Sequence, residues 1–210
     1  MGNETVFVLL AGGKSERMGV DKGLLKFKHT FWILEQLNRI SKTKIKMVYI
    51  GLGFNYLNYF KAIPWFKTAL TNEVDYHGLK IKTMINPTPE LGSFSTLHTV
   101  LNQLNTTSDI LINPIDVPLL NLTELNKIIM AKNSVVIPNF EGKRGHPIKI
   151  DAEYWQYLRT LNITDEDARL DFQLKKINPV KISQVEVKDK FVIKNINTKA
   201  TWLDFLNECD

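Results

Sequence analysis

Cysteine occurs once in the 210 residues, as Cys209, so no disulfide can form within the chain and a disulfide scaffold is excluded. No apolar run is long enough to span a bilayer. Met1-Gly2-Asn3-Glu4-Thr5 lacks the basic start of a secretory signal, and Val6 stands where the myristoylation pattern wants Ser or Thr. A cytoplasmic protein without a membrane partner is therefore expected. The sequons at Asn3, Asn105, Asn121 and Asn162 are then read as chance matches in an Asn-rich chain. A basic-aromatic stripe is also lacking: the net charge of +5 is spread over dispersed lysines, so no nucleic-acid partner is expected. A mild positive balance suits a small anionic substrate instead. What the chain does have is 44% hydrophobic residues, 10% of all residues being aromatic, enough for a substantial core.

Two familiar phosphate-binding patterns are missing as well. Residues 7–27 read FVLLAGGKSERMGVDKGLLKF. A P-loop needs a Gly five places before Gly13, and Val8 stands there. The dinucleotide fingerprint G-x-G-x-x-G fails because Gly12 and Gly13 are adjacent and the next glycine is Gly19. The chemistry of an anion site survives both exclusions. Gly12 and Gly13 carry no side chains, so backbone N–H groups can approach a phosphate closely, and Lys14, Arg17 and Lys22 supply cations nearby.

Apolar, β-branched runs predict strands at Val6–Leu10, Lys46–Gly51, Ile81–Ile85, Ile110–Asn113 and Ser134–Pro138. Helical patterns lie between them at Thr30–Ile40, Asn55–Leu70, Phe94–Leu104 and Leu122–Lys132, with Pro64 breaking the second. This alternation predicts an α/β fold of three layers, Rossmann-like, with a mainly parallel central sheet. After Pro138 the rhythm changes: helices are expected at Ala152–Leu161, Asp165–Lys176 and Ala200–Asn207. An antiparallel strand pair, Val180–Val187 with Lys190–Ile193, is expected to turn at Lys188-Asp189. No repeat or linker divides the chain. One domain over 1–210 is expected, with about 1–138 binding the nucleotide and about 139–210 serving the acceptor.

In parallel sheets ligands bind beyond the carboxyl ends of strands, so clusters following strands carry weight. Asn86 to Ser95, with Pro87, Pro89 and Gly92, forms a loop in which Ser93 or Ser95 could cap a helix whose N-terminus faces an anion; taken alone, the cluster reads more simply as an ordinary capped connection. Asp116 is the sole carboxylate of the apolar, Pro-bounded stretch Asn113–Leu120. It could hold Mg²⁺, or simply start a turn. Glu141-Gly142-Lys143-Arg144-Gly145-His146-Pro147 brackets two cations and a His with glycines and a proline. It could cover an anionic acceptor, or form a basic turn. Asn195 and Asn197 follow a predicted strand near the end.

Together these clusters resemble the molybdenum cofactor nucleotidyltransferase family. Leu10-Ala11-Gly12-Gly13-Lys14-Ser15-Glu16-Arg17-Met18-Gly19-Val20-Asp21-Lys22-Gly23-Leu24-Leu25 is similar to its L-A-G-G-x-S-x-R-M-G-x-D-K-x-L-L signature. Asp116-Val117-Pro118 is similar to its D-x-P segment, and Asn195-Ile196-Asn197-Thr198 to its terminal N-x-N-T-P, with Lys199 in place of Pro. The Gly-Gly pair is like the guanylyltransferase branch. Arg144-Gly145-His146-Pro147 is like the cytidylyltransferase branch, whose G-x-x-G-A-R element is echoed, without its glycines, in Asp165–Arg169.

The resemblance implies transfer of a nucleoside monophosphate from an NTP, GTP by the first motif, to a phosphorylated acceptor, molybdopterin by family, with release of pyrophosphate. It implies Mg²⁺, or Mn²⁺, as cofactor and molybdoenzyme chaperones as partners. Arg17, Lys22 and Asp116 would be catalytic. Leu10, Ala11, Gly12, Gly13, Ser15 and Gly92, with those three, would bind the nucleotide. Arg144 and His146 would meet the acceptor, and Asp116 with Asn195 or Asn197 would hold the metal. A cytidylyltransferase, a transferase for a sugar phosphate or other acceptor, and a nucleotide-binding protein without turnover are the alternatives.

Overall fold

Alternate residues of the first apolar run face opposite ways, as a strand requires. Val6 and Val8 are buried in one hydrophobic cluster, whereas Phe7, Leu9 and Ala11 are buried in another. A strand buried on both faces belongs at the centre of a sheet with helices on either side. The computed structural model, which describes residues 4–209, has that arrangement; Met1, Gly2 and Asn3, on which the reading of the chain's start rested, lie outside the described residues.

The strands are β1 (Thr5–Ala11), β2 (Lys26–Phe27), β3 (Thr30–Phe31), β4 (Met47–Leu52), β5 (Val74–Tyr76), β6 (Leu79–Ile85), β7 (Asp109–Pro114), β8 (Val135–Phe140), β9 (Lys143–Arg144), β10 (Ile148–Ile150) and β11 (Ile182–Glu186). The α-helices are α1 (Trp32–Ser41), α2 (Tyr56–Ala62), α3 (Trp65–Thr68), α4 (Ser93–Gln103), α5 (Leu122–Met130), α6 (Ala152–Arg159), α7 (Leu170–Lys176) and α8 (Lys199–Asn207). The main sheet runs β11-β8-β10-β7-β1-β4-β6-β5, with β9 paired to β8. β7, β1, β4 and β6 are mutually parallel. Side chains of α1, α5 and α8 pack on one face of the sheet, those of α4, α6 and α7 on the other.

Pro64 does separate two helices, α2 and α3. The end of the chain differs from expectation. Lys190–Ile193 is a 3₁₀ turn, not a strand, and β11 pairs in parallel with β8, Ser183 opposite Val136. The cause is a set of contacts distant in sequence. The Asp189 carboxylate accepts from Phe191 N at 3.0 Å and from Asn121 N at 2.7 Å, while the Val192 carbonyl accepts from His146 N at 3.1 Å. The helix expected from Asp165 begins at Leu170, since Asp165–Arg169 is spent on turns closed by Asp165 N→Asn162 O and Ala168 N→Asp165 O. β10, which lies antiparallel between β7 and β8, was not foreseen. Three residues are too few for a periodicity, and its buried Lys149 breaks the apolar run. That ammonium reaches the Ile129 and Ala131 carbonyls at the end of α5 at 3.0 and 2.9 Å, and Asp109 at 3.2 Å.

Candidate active site

The carboxyl ends of β1 and β7 open into a cleft of about 830 Å³. One wall is the turn after β1. A Cβ on Gly12 would collide with the Thr96 side chain of α4, whereas one on Gly13 would meet nothing. Gly12 is thus a glycine so that helix and strand can approach, and Gly13 leaves the cleft side open for a ligand. The opposite wall is the loop into α4. Gly92, with φ of 91°, is the residue before the first helical turn and lines the cleft. Neither Ser93 nor Ser95 caps that helix. Ser95 is buried, its hydroxyl lying 2.7 Å from the Gly92 carbonyl and accepting from the Asn86 amide at 2.7 Å. The free N–H groups of the α4 N-terminus are therefore left for the cleft, a favourable place for an anion.

At the head of the cleft three polar side chains from remote parts of the chain meet. Lys22 Nζ donates to Asp116 Oδ2 at 2.8 Å and to Asn197 Oδ1 at 2.6 Å. Each is put there by its local backbone. Lys22 opens a 3₁₀ turn, and its N–H donates to Ser15 Oγ at 3.1 Å. Asp116 follows β7, and its carbonyl accepts from Ile196 N at 2.8 Å, drawing the C-terminal segment across. Asn197 precedes Thr198, which caps α8 through a reciprocal bond with Thr201. Beneath α8, Trp202 and Phe205 pack edge-on against Trp32.

His146 also lines the cleft. Burial pulls its pKa below the ordinary imidazole value, partly opposed by the nearby Asp116 charge, so the ring is neutral near pH 7. Its Nδ1 is buried without a partner among the described residues.

Leu10, Ala11, Gly12, Gly13, Ser15, Lys22, Gly92, Asp116 and His146 all line this cleft. Four expected residues do not, although one of them, Asn197, meets the cleft through its bond with Lys22. Arg17 is exposed, because the 3₁₀ turn Glu16–Met18 buries Met18 in the core and turns its neighbours outward. Asn195 is exposed, whereas Ile196 between the two amides is fully buried and Asn197 is half-buried, so the two amides do not share one environment. Arg144 is exposed on β9 and lines a separate groove of about 280 Å³. In its place Arg169 reaches the cleft, paired with Asp171 at 3.1 and 3.3 Å. The faint echo at Ala168-Arg169 was the only signal for it.

Among the described residues no three His, Cys, Asp or Glu side chains gather as a metal cage. The site still fits a Mg²⁺-like ion, which needs one or two carboxylates and takes its other oxygens from phosphate and water. Asp116 and Asn197 already aim two oxygens at one cation, the Lys22 ammonium.

Residues 7–179 match the family model described as the MobA-like NTP transferase domain. No curated protein matches. Among solved structures, Rv0371c from Mycobacterium tuberculosis H37Rv is similar at 17% identity over 99% of both chains, with a TM-score of 0.76. The same protein in complex with manganese gives 16% identity over 97% of this chain and 98% of that one, and 0.70. A nucleotidyl transferase from Methanothermobacter is 18% identical over 100% of both chains, with a TM-score of 0.75. Molybdopterin-guanine dinucleotide biosynthesis protein A from Archaeoglobus fulgidus is 15% identical over 97% of this chain and 98% of that one, with a TM-score of 0.67. At these identities the likeness is one of fold.

Proposed function

The chain belongs to the MobA-like NTP transferase domain family and is a nucleotidyltransferase, and on that premise we propose that it transfers GMP from GTP to the phosphate of a molybdopterin-type acceptor. The observation that carries the reading is the meeting of Lys22, Asp116 and Asn197 at the head of a cleft walled by Gly13 and the α4 N-terminus. An oxygen of the acceptor phosphate attacks the α-phosphorus, the bond from that phosphorus to the β-bridging oxygen breaks, and pyrophosphate leaves. No protein base is needed, because a phosphomonoester is largely dianionic near pH 7. The Gly12-Gly13 turn and the first N–H groups of α4 would hold the triphosphate. Lys22 would exchange one of its present contacts for an α-phosphate oxygen, where charge shifts in the transition state. A divalent ion bound by Asp116 and Asn197 would supply positive charge to the phosphate oxygens. Arg169, released from Asp171, would receive the acceptor phosphate as a two-pronged donor. His146, neutral and lining the cleft, would pack beside the acceptor.

The guanine choice rests on the likeness of the Leu10–Leu25 segment to the guanylyltransferase branch; Gly12 faces Thr96 and so adds no room for a base. Arg144 to Pro147 favours the cytidylyltransferase alternative, of which only His146 lies in the cleft. Pyrophosphate release with each of the four NTPs, molybdopterin and Mg²⁺ or Mn²⁺ tests the proposal. GTP-dependent release supports it. Release with CTP alone makes the chain a cytidylyltransferase, and release only with a sugar phosphate moves it to another acceptor.

A further inference from the structure

Asp21 is 4% exposed and pairs with no cation among the described residues; its two carboxylate oxygens accept from Asn55 Nδ2 at 3.0 Å and Asn58 Nδ2 at 2.8 Å. A buried carboxylate satisfied by two amides from another element is held firmly, since losing either bond leaves an oxygen desolvated. The residue it anchors is its neighbour Lys22. The Asp21 carbonyl closes the 3₁₀ turn by accepting from Leu24 N at 2.8 Å. The next residue is fixed by the same element: Gly23 N donates to the Tyr59 hydroxyl at 3.3 Å, and a Cβ on Gly23 would stand 2.8 Å from the Tyr59 ring.

The segment that supplies these three partners also braces the other half of the phosphate-binding motif. Phe54 N donates to the Gly12 carbonyl at 3.2 Å. Gly53 lies so close to the Gly12 backbone that no side chain fits between them. Asn55 sits at φ 58°, a left-handed conformation that Asn tolerates better than most residues, and this starts α2 with both amides on the Asp21 side. Residues 53–59 thus touch both the Gly12 turn and the Lys22 turn, although they lie outside the 10–25 motif.

We propose that Asn55 and Asn58 are positioning residues, a clamp on Asp21 that fixes the Lys22 ammonium relative to the Gly12-Gly13 turn during nucleotidyl transfer. The proposal rests on the reading of Lys22 given above. Displacing a catalytic group by a fraction of its reach lowers turnover without removing ground-state binding of the nucleotide.

Asn58 is exposed apart from its amide, so Asn58→Ala removes the bond without opening the core. Steady-state pyrophosphate release should show kcat down about tenfold and KM for the NTP changed by less than about twofold. The melting temperature should fall by only a few degrees, and Asn58→Gln should recover part of kcat. In a Lys22→Ala background, Asn58→Ala should slow the enzyme no further. Parent-like kcat in Asn58→Ala, or the same tenfold loss on top of Lys22→Ala, overturns the clamp. Hydrogen exchange at Gly23 and Leu24 gives an answer independent of turnover: faster exchange at those amides in Asn58→Ala supports it, unchanged exchange overturns it. A parent protein that releases no pyrophosphate with any NTP sinks the functional reading instead, and exchange alone then decides whether the clamp exists.

Discussion

At the scale of single residues, Lys22 is the most informative side chain. Its ammonium holds two oxygens whose residues lie 94 and 175 positions away in sequence, and no core packing depends on it. Lys22→Ala should therefore leave the melting temperature within a few degrees. Turnover should fall about a hundredfold, the ~3 kcal/mol expected for one well-placed cation in a phosphoryl-transfer site. Parent-like rates in a folded variant would remove Lys22 from the mechanism. Asp116→Asn keeps the shape and removes the charge, so it should raise the concentration of Mg²⁺ or Mn²⁺ needed for half-maximal rate; an unchanged metal titration would reduce Asp116 to a turn residue. Gly12→Ala tests the packing of the turn against α4. The added methyl meets Thr96, not a base, so it should destabilise the fold by about 1–3 kcal/mol, and Thr96→Ala should recover part of that loss in denaturant melts.

At the scale of elements, α8 decides where Asn197 stands. Phe205 is fully buried against Trp32, Phe27 and Phe191. Phe205→Ala should cost about 3–5 kcal/mol of stability and also weaken metal-dependent turnover in whatever fraction remains folded, because the capped end of α8 sets the Asn197 amide. Stability loss with an unaltered metal requirement would separate α8 from the site. The elements themselves were largely legible. The apolar runs of β1, β4, β6, β7 and β8 are long enough to show as strands, and Pro64 marked its break. The short strands and the 3₁₀ turn at Lys190–Ile193 were not, because two to four residues carry no period and their geometry is fixed by partners such as Asn121 and Gly145.

For the whole molecule, burial of phenols shapes the response to alkali. Tyr59 is raised far above an ordinary tyrosine by burial and by the Asp21 charge, and Tyr154 is pushed up to about 12 by burial. Above about pH 10 the unfolded chain releases these protons while the native one keeps them, so the native state binds more protons and stability falls as pH rises. Tyr154→Phe should flatten part of that alkaline limb in melts between pH 9 and 11. It should also be neutral or stabilising at pH 7, since the hydroxyl is buried without a partner among the described residues. A steeper alkaline limb in the variant would contradict this.

The class of fold, the Gly12-Gly13 turn at the end of the first strand and the family are legible without coordinates, because each depends on spacing within a few dozen residues. Tertiary structure alone decided that Asn197 and not Asn195 joins Lys22 and Asp116. It also put Arg169 in the cleft while Arg144 faces another groove, and tied Asp21 to α2. Those outcomes follow from how the fold stacks distant segments: β10 enters antiparallel beside β7, Ile196 is drawn into the core, and the Ile196 N–H is tied to the Asp116 carbonyl. A motif fixes which groups are available; the packing of remote elements against it fixes which of them point at the same atom.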